Sequence, residues 1–221
     1  MKNMIRAAAV LTAIILSTFS LHAQEAQAFR PAFGIKGGLN LSNISNDRAD
    51  LNDDNYKLGL HFGGFVEAPF NPFIAIRPEL LYSMKGNESS YNMTTFAPTV
   101  PSGAGTIQFN LHYLEMPVLA VFRLSNNIDI QAGPYVAYLL SANLTNNSNN
   151  DSFDNVENLD VGNFERLDWG LATGVSFNVA PIEIGLRYSF GLKNIEKEER
   201  AVQLMNNAKN SNFQLSVGFK L

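Results

Sequence analysis

The 221-residue sequence contains no cysteine, so disulfide bonds cannot hold the fold together. Charged residues make up only 16% of the chain, and the net charge of -4 comes without any cluster of Lys or Arg. A nucleic-acid partner is therefore not expected. After the N-terminal region, no apolar run approaches the roughly 20 residues that a membrane-spanning helix needs. If the mature chain crosses a membrane, it must do so with strands.

The N-terminus has the three parts of a secretory signal peptide. Lys2 and Arg6 precede the apolar run AAAVLTAIILSTFS, and the small-residue segment LHAQEAQA follows it. We predict a signal peptide over residues 1–23, with cleavage after Ala26 or Ala28 as alternatives. The apolar run is too short for an anchor helix, the other interpretation. A short segment, 24–31, then leads to the main domain, 32–221.

Alternation of apolar with polar or small residues predicts eight strands in that domain. Most are longer than the 5–6 residues typical of strands in soluble proteins, and they suit strands that cross a bilayer at a tilt. The predicted strands are Ala32–Asn43, Asn55–Ala68, Phe73–Lys85, Thr106–Leu124, Ile128–Ala142, Phe164–Val179, Ile182–Leu192 and Ser211–Leu221.

The connections between these strands alternate strictly between short and long. Three are tight turns, at 69–72, 125–127 and 180–181, and the four long ones are polar: 44–54, 86–105, 143–163 and 193–210. An up-and-down barrel sorts its connections in this way, with short turns in the periplasm and long loops outside the cell. A Greek-key sandwich would not be expected to alternate short and long connections in this way.

The two registers of each strand differ in chemistry. Ile184 and Leu186 alternate with Glu183 and Arg187 in the seventh strand, and the second register of the other strands also mixes charged residues with Gly. Gly weakens a solvent-facing strand, whereas the crowded lumen of a small barrel needs small side chains. We therefore expect the apolar register to face lipid and the charges to face inward. A soluble sandwich or a lipocalin-like barrel is the alternative.

Charges of both signs occupy the predicted inward register in similar number. Such charges are tolerable inside a barrel only if they are paired and hydrogen-bonded. We predict a structural salt-bridge network among Arg77, Glu79, Glu115, Asp168, Glu183 and Arg187, with Lys36 and Asp129 also pointing inward. The catalytic alternative, a carboxylate pair that performs acid–base chemistry, is disfavoured because eight strands enclose only enough space for side chains.

The sequence carries no other pattern that indicates catalysis. His61 and His112 are the only histidines after the signal peptide, and we interpret both as polar lining or loop-base residues. The sequence contains no cluster of metal-ligand type, no phosphate-binding glycine loop and no nucleophile elbow. We expect no catalytic residues, no cofactor and no metal.

The fourth strand departs from simple alternation. Its apolar set includes Leu114 and Met116, but upstream the apolar residues are Leu111 and Tyr113, so the phase slips near Tyr113-Leu114. A β-bulge would produce such a slip. We prefer a second explanation, in which the upper half of the strand rises above the bilayer.

Four segments resemble the PorT-like outer-membrane β-barrel proteins of Bacteroidetes. They are FGIKGGLN at 33–40, YLEMPVL at 113–119, AGPYVAYLL at 132–140 and GFKL at 218–221, in the order expected for the family. The resemblance implies an outer-membrane barrel but no defined activity. The protein that gives the PorT-like family its name takes part in protein secretion. Barrels of this family often end on an aromatic residue, whereas this sequence ends on Leu221.

The sequence thus predicts an all-β, eight-stranded, antiparallel up-and-down transmembrane barrel with OmpA/OmpX-like architecture, in a bacterial outer membrane. We expect a non-enzymatic monomer in contact with outer-membrane lipid. Its four long loops would serve surface structure, adhesion or binding of an extracellular or envelope protein. The alternatives are an accessory subunit of an envelope secretion or assembly complex, a narrow pore, and a membrane-embedded enzyme.

Overall fold

The computed structural model describes residues 30–45, 56–93, 103–148, 155–159, 166–193 and 209–221. The predicted signal peptide, 1–23, lies outside the described residues, as does nearly all of the segment 24–31. Within the described part of the chain, no helix is long and apolar enough to span a membrane.

The described residues form nine strands, and each pairs antiparallel with its neighbours. β1 pairs with both β2 and β9, which closes the sheet into a ring of eight strands, while the short β6 pairs with β5 beyond the ring. The predicted eight-stranded barrel is confirmed. The strands are β1 Ala32–Ser45, β2 Lys57–Pro69, β3 Ile74–Met93, β4 Gly103–Arg123, β5 Ile128–Ser148, β6 Asn155–Leu159, β7 Leu167–Val179, β8 Ile182–Gly191 and β9 Lys209–Lys220.

Three tight connections mark one end of the barrel, which we call the turn end. In the β2–β3 turn, Asn71 Oδ1 accepts hydrogen bonds from the backbone N–H groups of Phe73 (2.9 Å) and Ile74 (2.8 Å). In the β4–β5 turn, Ser125 Oγ accepts from the N–H groups of Asn127 and Ile128. Such local side-chain bonds are why Asn and Ser favour tight turns. The opposite end is called the loop end.

The strands extend further at the loop end than the sequence predicts. β3, β4 and β5 contain 20, 21 and 21 residues, about twice the 9–11 that cross a bilayer. The prediction that residues 86–105 and 143–163 are loops is therefore partly wrong. β3 and β4 stay paired with each other as far as the Met93–Gly103 pair, and β6 forms within the second of these segments. The sequence of these segments is rich in polar residues and shows no regular apolar–polar alternation that would predict strands.

The phase slip in the sequence of the fourth strand is not a change of face in β4, and the expectation that its upper half rises above the bilayer stays a prediction. Leu111, Tyr113, Glu115 and Leu119 are all buried in the lumen at alternate positions, so β4 keeps one inward face throughout. The pairing register shifts between His112 and Tyr113 because β5 contributes an extra residue there. Apolar residues at 111 and 113 reflect an apolar patch inside the lumen rather than a change of face.

Apolar side chains cover the outside of the barrel and charged ones fill the inside. In β8, Leu186 is 56% exposed, whereas its neighbour Arg187 is 5% exposed and faces the lumen. The same alternation holds in β7 and β9. A closed ring with this polarity satisfies its backbone groups internally and presents apolar side chains to lipid.

Glycines on the inner face allow neighbouring strands to approach closely. A Cβ atom on Gly38 would lie 1.9 Å from the Leu215 carbonyl oxygen, and one on Gly63 would lie 2.0 Å from that of Leu80. Gly37, on the outer face beside Gly38, has room for a Cβ at 3.5 Å from the His61 oxygen. The strong curvature of a small barrel therefore requires glycine at particular inner positions.

We predict that Leu186→Arg costs about 2–4 kcal/mol of folding free energy, because it places a charge on the lipid face near mid-bilayer. Urea titration of the protein in lipid vesicles measures this cost. Asn126→Arg, which adds the same charge at the turn end, serves as control and should fold like the wild type. Equal stability of Leu186→Arg and wild type would contradict a lipid-facing Leu186.

We predict that Gly38→Ala lowers the unfolding temperature, since the new methyl group forces β1 and β9 apart at the seam that closes the ring. Gly37→Ala is the matched control, because the same change on the opposite face meets only ordinary van der Waals contacts. Thermal unfolding in detergent compares the two variants. Identical melting temperatures would show that the close approach at Gly38 is unimportant.

Candidate functional site: the filled lumen

The inner face carries three clusters of charged and polar side chains, stacked from the turn end to the loop end. The cluster nearest the turn end is centred on Arg77 of β3. Its guanidinium donates Nη1 to Glu183 Oε1 (2.6 Å) and Nη2 to Glu183 Oε2 (2.8 Å), and it also binds Glu67. Arg77 thus links β2, β3 and β8 across the lumen. We call Glu67, Arg77, Arg123, Glu183 and Lys220 the turn-end cluster.

The two remaining cations of this cluster lie closer to the turn-end opening. Arg123 Nη2 is 2.5 Å from Glu67 Oε1, and Lys220 Nζ is 3.3 Å from both Glu67 Oε2 and Glu183 Oε2. Each carboxylate is therefore shared between cations from different strands. Sharing offsets the large desolvation cost of burying these charges.

A second cluster lies in the middle of the barrel around Glu79. Arg187 forms a bidentate pair with it, with both nitrogen–oxygen distances at 2.7 Å, and Lys36 Nζ approaches to 3.3 Å. Gln131 Oε1 accepts from Arg187 Nη2 (3.2 Å), and Gln131 Nε2 donates to Ser176 Oγ (2.9 Å). Five strands thereby meet at one level of the lumen.

The third cluster, nearer the loop end, combines charges with two buried tyrosines. Lys85 Nζ lies 2.6 Å from Glu115 Oε2, and it lies 5.6 and 5.0 Å from the ring centres of Tyr113 and Tyr135. Cation–π contacts of this kind are strongest where water is excluded.

The tyrosines connect this pair to Asp168 on the other wall. Asp168 Oδ2 accepts from Tyr135 OH (3.3 Å) and from Asn210 Nδ2 (3.0 Å), and Asn210 Nδ2 also lies 3.4 Å from Tyr113 OH. The cluster therefore spans the lumen from β3 to β9. Apolar side chains of β4 and β5, including Leu111 and Leu139, pack beside it.

The six residues predicted from the sequence as one network are distributed over the three clusters. Arg77 pairs with Glu183, and Glu79 pairs with Arg187. Glu115 and Asp168 instead have separate partners, in Lys85 and in Tyr135 with Asn210. A role for this network in stability stays a prediction.

Sequence reasoning left Glu67 and Lys85 out of the predicted network, although both are fully engaged in it. Both lie on the inward register of their strands, so alternation alone could have included them. Which charges face each other across the lumen depends on how the closed ring staggers its strands, and alternation does not reveal that.

The two histidines have different surroundings. His61 is buried in the lumen, where its Nδ1 lies 2.8 Å from Asn40 Oδ1, and Asn40 in turn donates to Ser83 Oγ. His112 is partly exposed on the outer face, with Nδ1 2.7 Å from Tyr82 OH. Within the described part of the chain, the ring-nitrogen partners of the two histidines are an amide oxygen and a phenol, not the serine and carboxylate of a hydrolase triad.

Among the described residues, no group of three or more His, Cys, Asp or Glu side chains is arranged to hold a metal ion. Each interior carboxylate in this part of the chain has a cation, amide or hydroxyl group as its neighbour. The chemistry of the lumen is thus that of neutralised charges that fill the barrel.

We predict that Glu115→Ala destabilises the protein by about 3–5 kcal/mol, because it leaves the buried Lys85 ammonium without its carboxylate. Thermal unfolding in detergent should show a clearly lower midpoint. An unchanged midpoint would indicate that the Lys85–Glu115 pair does not support the barrel.

The double variant Glu115→Leu with Lys85→Met separates lost pairing from lost packing. Replacing both members of a buried pair by apolar residues is often close to neutral, so this variant should recover most of the midpoint. A further loss would mean that the two side chains act through packing rather than through charge.

Comparisons with known proteins agree with this architecture. Residues 22–197 match the family described as "Outer membrane protein beta-barrel domain". A search of curated proteins found no match.

Among solved structures, the chain is similar to Ail of Yersinia pestis, in complex with the heparin analogue sucrose octasulfate (14% identity, TM-score 0.43, covering 87% of this chain and 99% of that one). It is also similar to Neisserial surface protein A (14% identity, TM-score 0.48, covering 86% and 97%). The family match is to the wider barrel family, and the PorT-like assignment stays a prediction. The matched span and the closed eight-stranded ring show that this chain belongs to the outer membrane protein beta-barrel family and resides in the bacterial outer membrane.

Proposed function

We propose that this protein is a non-enzymatic barrel that anchors an elaborated loop end in the outer membrane, where that end serves surface structure, adhesion or binding. The observation that carries the proposal is the difference between the two ends. The turn end has three connections of two to four residues, whereas β3, β4 and β5 extend well past the length needed to cross the bilayer. In barrels of this kind the long connections face outward from the cell.

The extended strands give the loop end a defined shape. β6 adds to β5 beyond the ring, so four strands continue the sheet above the barrel at β3, β4, β5 and β6. Their backbone pairing makes this end of the sheet a rigid base. Binding residues in proteins are concentrated on loops held by a rigid scaffold.

The filled lumen supports a non-enzymatic role and argues against a pore. Charged clusters cross the interior at three levels, and Arg77, Glu79 and Glu115 are almost completely buried. A barrel of eight strands encloses just enough space for side chains. A substrate or ion would have to displace paired charges in order to pass.

Epitope insertion tests which end is displayed. A tag placed between Asn149 and Asn150 should bind antibody on intact cells, whereas a tag between Asn126 and Asn127 should bind only after the outer membrane is permeabilised. Heat-modifiable gel mobility confirms that both proteins are folded. The reverse labelling pattern would overturn the proposed orientation.

Loop exchange tests whether the displayed end binds anything. Replacing residues 143–163 by a short Asn-Gly turn should abolish adhesion of expressing cells to sister cells or to polysaccharide-coated surfaces. Asn126→Ala, a change at the turn end, is the control and should adhere normally. If the exchanged protein is folded and adhesion is unchanged, this segment has no binding role.

A second candidate, an accessory subunit of an envelope assembly, is favoured only by the resemblance of residues 33–40, 113–119, 132–140 and 218–221 to PorT-like proteins. Crosslinking in cells followed by mass spectrometry distinguishes the two. A stoichiometric envelope partner supports the subunit, and its absence supports a solitary anchor. Steady channel openings recorded in planar bilayers would support a pore and would contradict both the solitary anchor and the assembly subunit.

A further inference from the structure

The turn end contains a vestibule of about 600 Å³ that opens beneath the turn-end cluster. It lies between the β2–β3, β4–β5 and β7–β8 turns, and its walls include Phe73, Leu124, Ile182, Arg123 and Lys220. Its volume falls within the 300–1,000 Å³ typical of small-ligand sites.

The charged atoms nearest the opening are cations. The side chains of Arg123 and Lys220 are 29% and 25% exposed, whereas those of Glu67 and Glu183 behind them are 4% exposed. The ion-paired turn-end cluster contains three cations and two carboxylates. With Asp129, which also borders the vestibule, positive and negative charges are equal in number, but the accessible ones are the nitrogens of Arg123 and Lys220.

One further carboxylate, Asp129, also borders the vestibule but does not present an open anionic surface. It is almost completely buried, and its Oδ2 accepts a hydrogen bond from Asn178 Nδ2 at 2.7 Å. Asn178 Oδ1 in turn accepts from Lys220 Nζ at 3.1 Å, which fixes that ammonium group at the edge of the space. An entering anion would thus meet Arg123 and Lys220 before it met a carboxylate.

The rim of the vestibule is apolar. Phe73 and Leu124 are largely exposed at the turns, Ile182 is exposed at the start of β8, and Pro72 completes the wall. These residues lie at the turns and at the adjoining ends of the strands. A ligand that fits must therefore combine an anionic group with an apolar portion.

We infer that the vestibule binds the phosphate headgroup of a phospholipid from the inner leaflet of the outer membrane. The phosphate lies between Arg123 and Lys220, and the glycerol and upper acyl chains lie against Phe73 and Leu124. Phosphate forms short charge-assisted hydrogen bonds with Arg and Lys, and a membrane lipid supplies the apolar portion from the adjoining bilayer. A peptide carboxylate of the periplasmic glycan would match the cations but leave the apolar rim uncovered.

Native mass spectrometry of the full-length protein in a sugar-based detergent tests this inference. The probes are dioleoyl phosphatidylglycerol, dioleoyl phosphatidylethanolamine and dioleoylglycerol, which lacks the phosphate. We expect adducts with both phospholipids and at least about fivefold weaker adducts with dioleoylglycerol, since the ion contacts are then missing. Equal binding of dioleoylglycerol would overturn the inference, because contact with the apolar rim would then suffice.

Variants locate the site. Arg123→Gln combined with Lys220→Gln should reduce phospholipid adducts at least about fivefold, and Arg123→Lys, which keeps the charge, should retain them. Arg166→Gln is the matched control, because Arg166 is an exposed arginine at the loop end. Heat-modifiable mobility verifies folding, and Arg123→Gln alone, which leaves Lys220 on Glu67, replaces the double variant if that one does not fold.

Two further outcomes would reject the inner-leaflet lipid. Stabilisation by inorganic phosphate at concentrations that match the phospholipid, lost in the variants, would assign the site to free phosphate. Sedimentation of the protein with purified peptidoglycan, also dependent on Arg123 and Lys220, would assign it to the periplasmic glycan. Phospholipid adducts equal in wild type and the Gln variants would exclude the vestibule altogether.

Discussion

The pairing of β1 with β9 is the constraint on which the rest of the structure depends. It runs from Gly34–Lys220 to Ser45–Lys209 and turns an open sheet into a ring. In lipid, an open sheet would expose unpaired N–H and C=O groups along both edges at a cost of several kcal/mol each. Closure removes that cost, but it also encloses a narrow interior that the side chains of eight strands must fill.

The interior is filled with paired charges because the outside is already apolar. In water a small protein buries its apolar residues, but lipid accepts those residues on the outer face and leaves the polar ones for the lumen. Arg77, Glu79 and Lys85 all lie on one inward face of β3, and each finds opposite charge on other strands. Small residues such as Gly38 and Gly63 then make room where strands approach closely.

Alternation in the sequence was enough to predict the closed barrel, the two faces and the tight turns, because a period of two is a local property. It was not enough to pair Arg77 with Glu183 or Glu79 with Arg187, since these contacts join strands that are not neighbours and depend on the stagger of the closed ring. It also misjudged the loop end. Segments such as 86–93 are rich in polar residues, so their strand character comes from pairing with β4 rather than from an alternating pattern in the sequence.

The stacked clusters also limit how this architecture can vary. Arg77 and Glu183 are 106 positions apart in the chain, and Glu79 and Arg187 are 108 apart. Each layer therefore joins a hairpin from the first half of the domain to one from the second. Hairpins exchanged between related barrels would bring mismatched ions together at the centre, so such chimaeras need compensating changes on the far wall. Where the outer surface meets lipid, one apolar residue can replace another singly, whereas a change to one member of an inner ion pair requires a matching change to its partner.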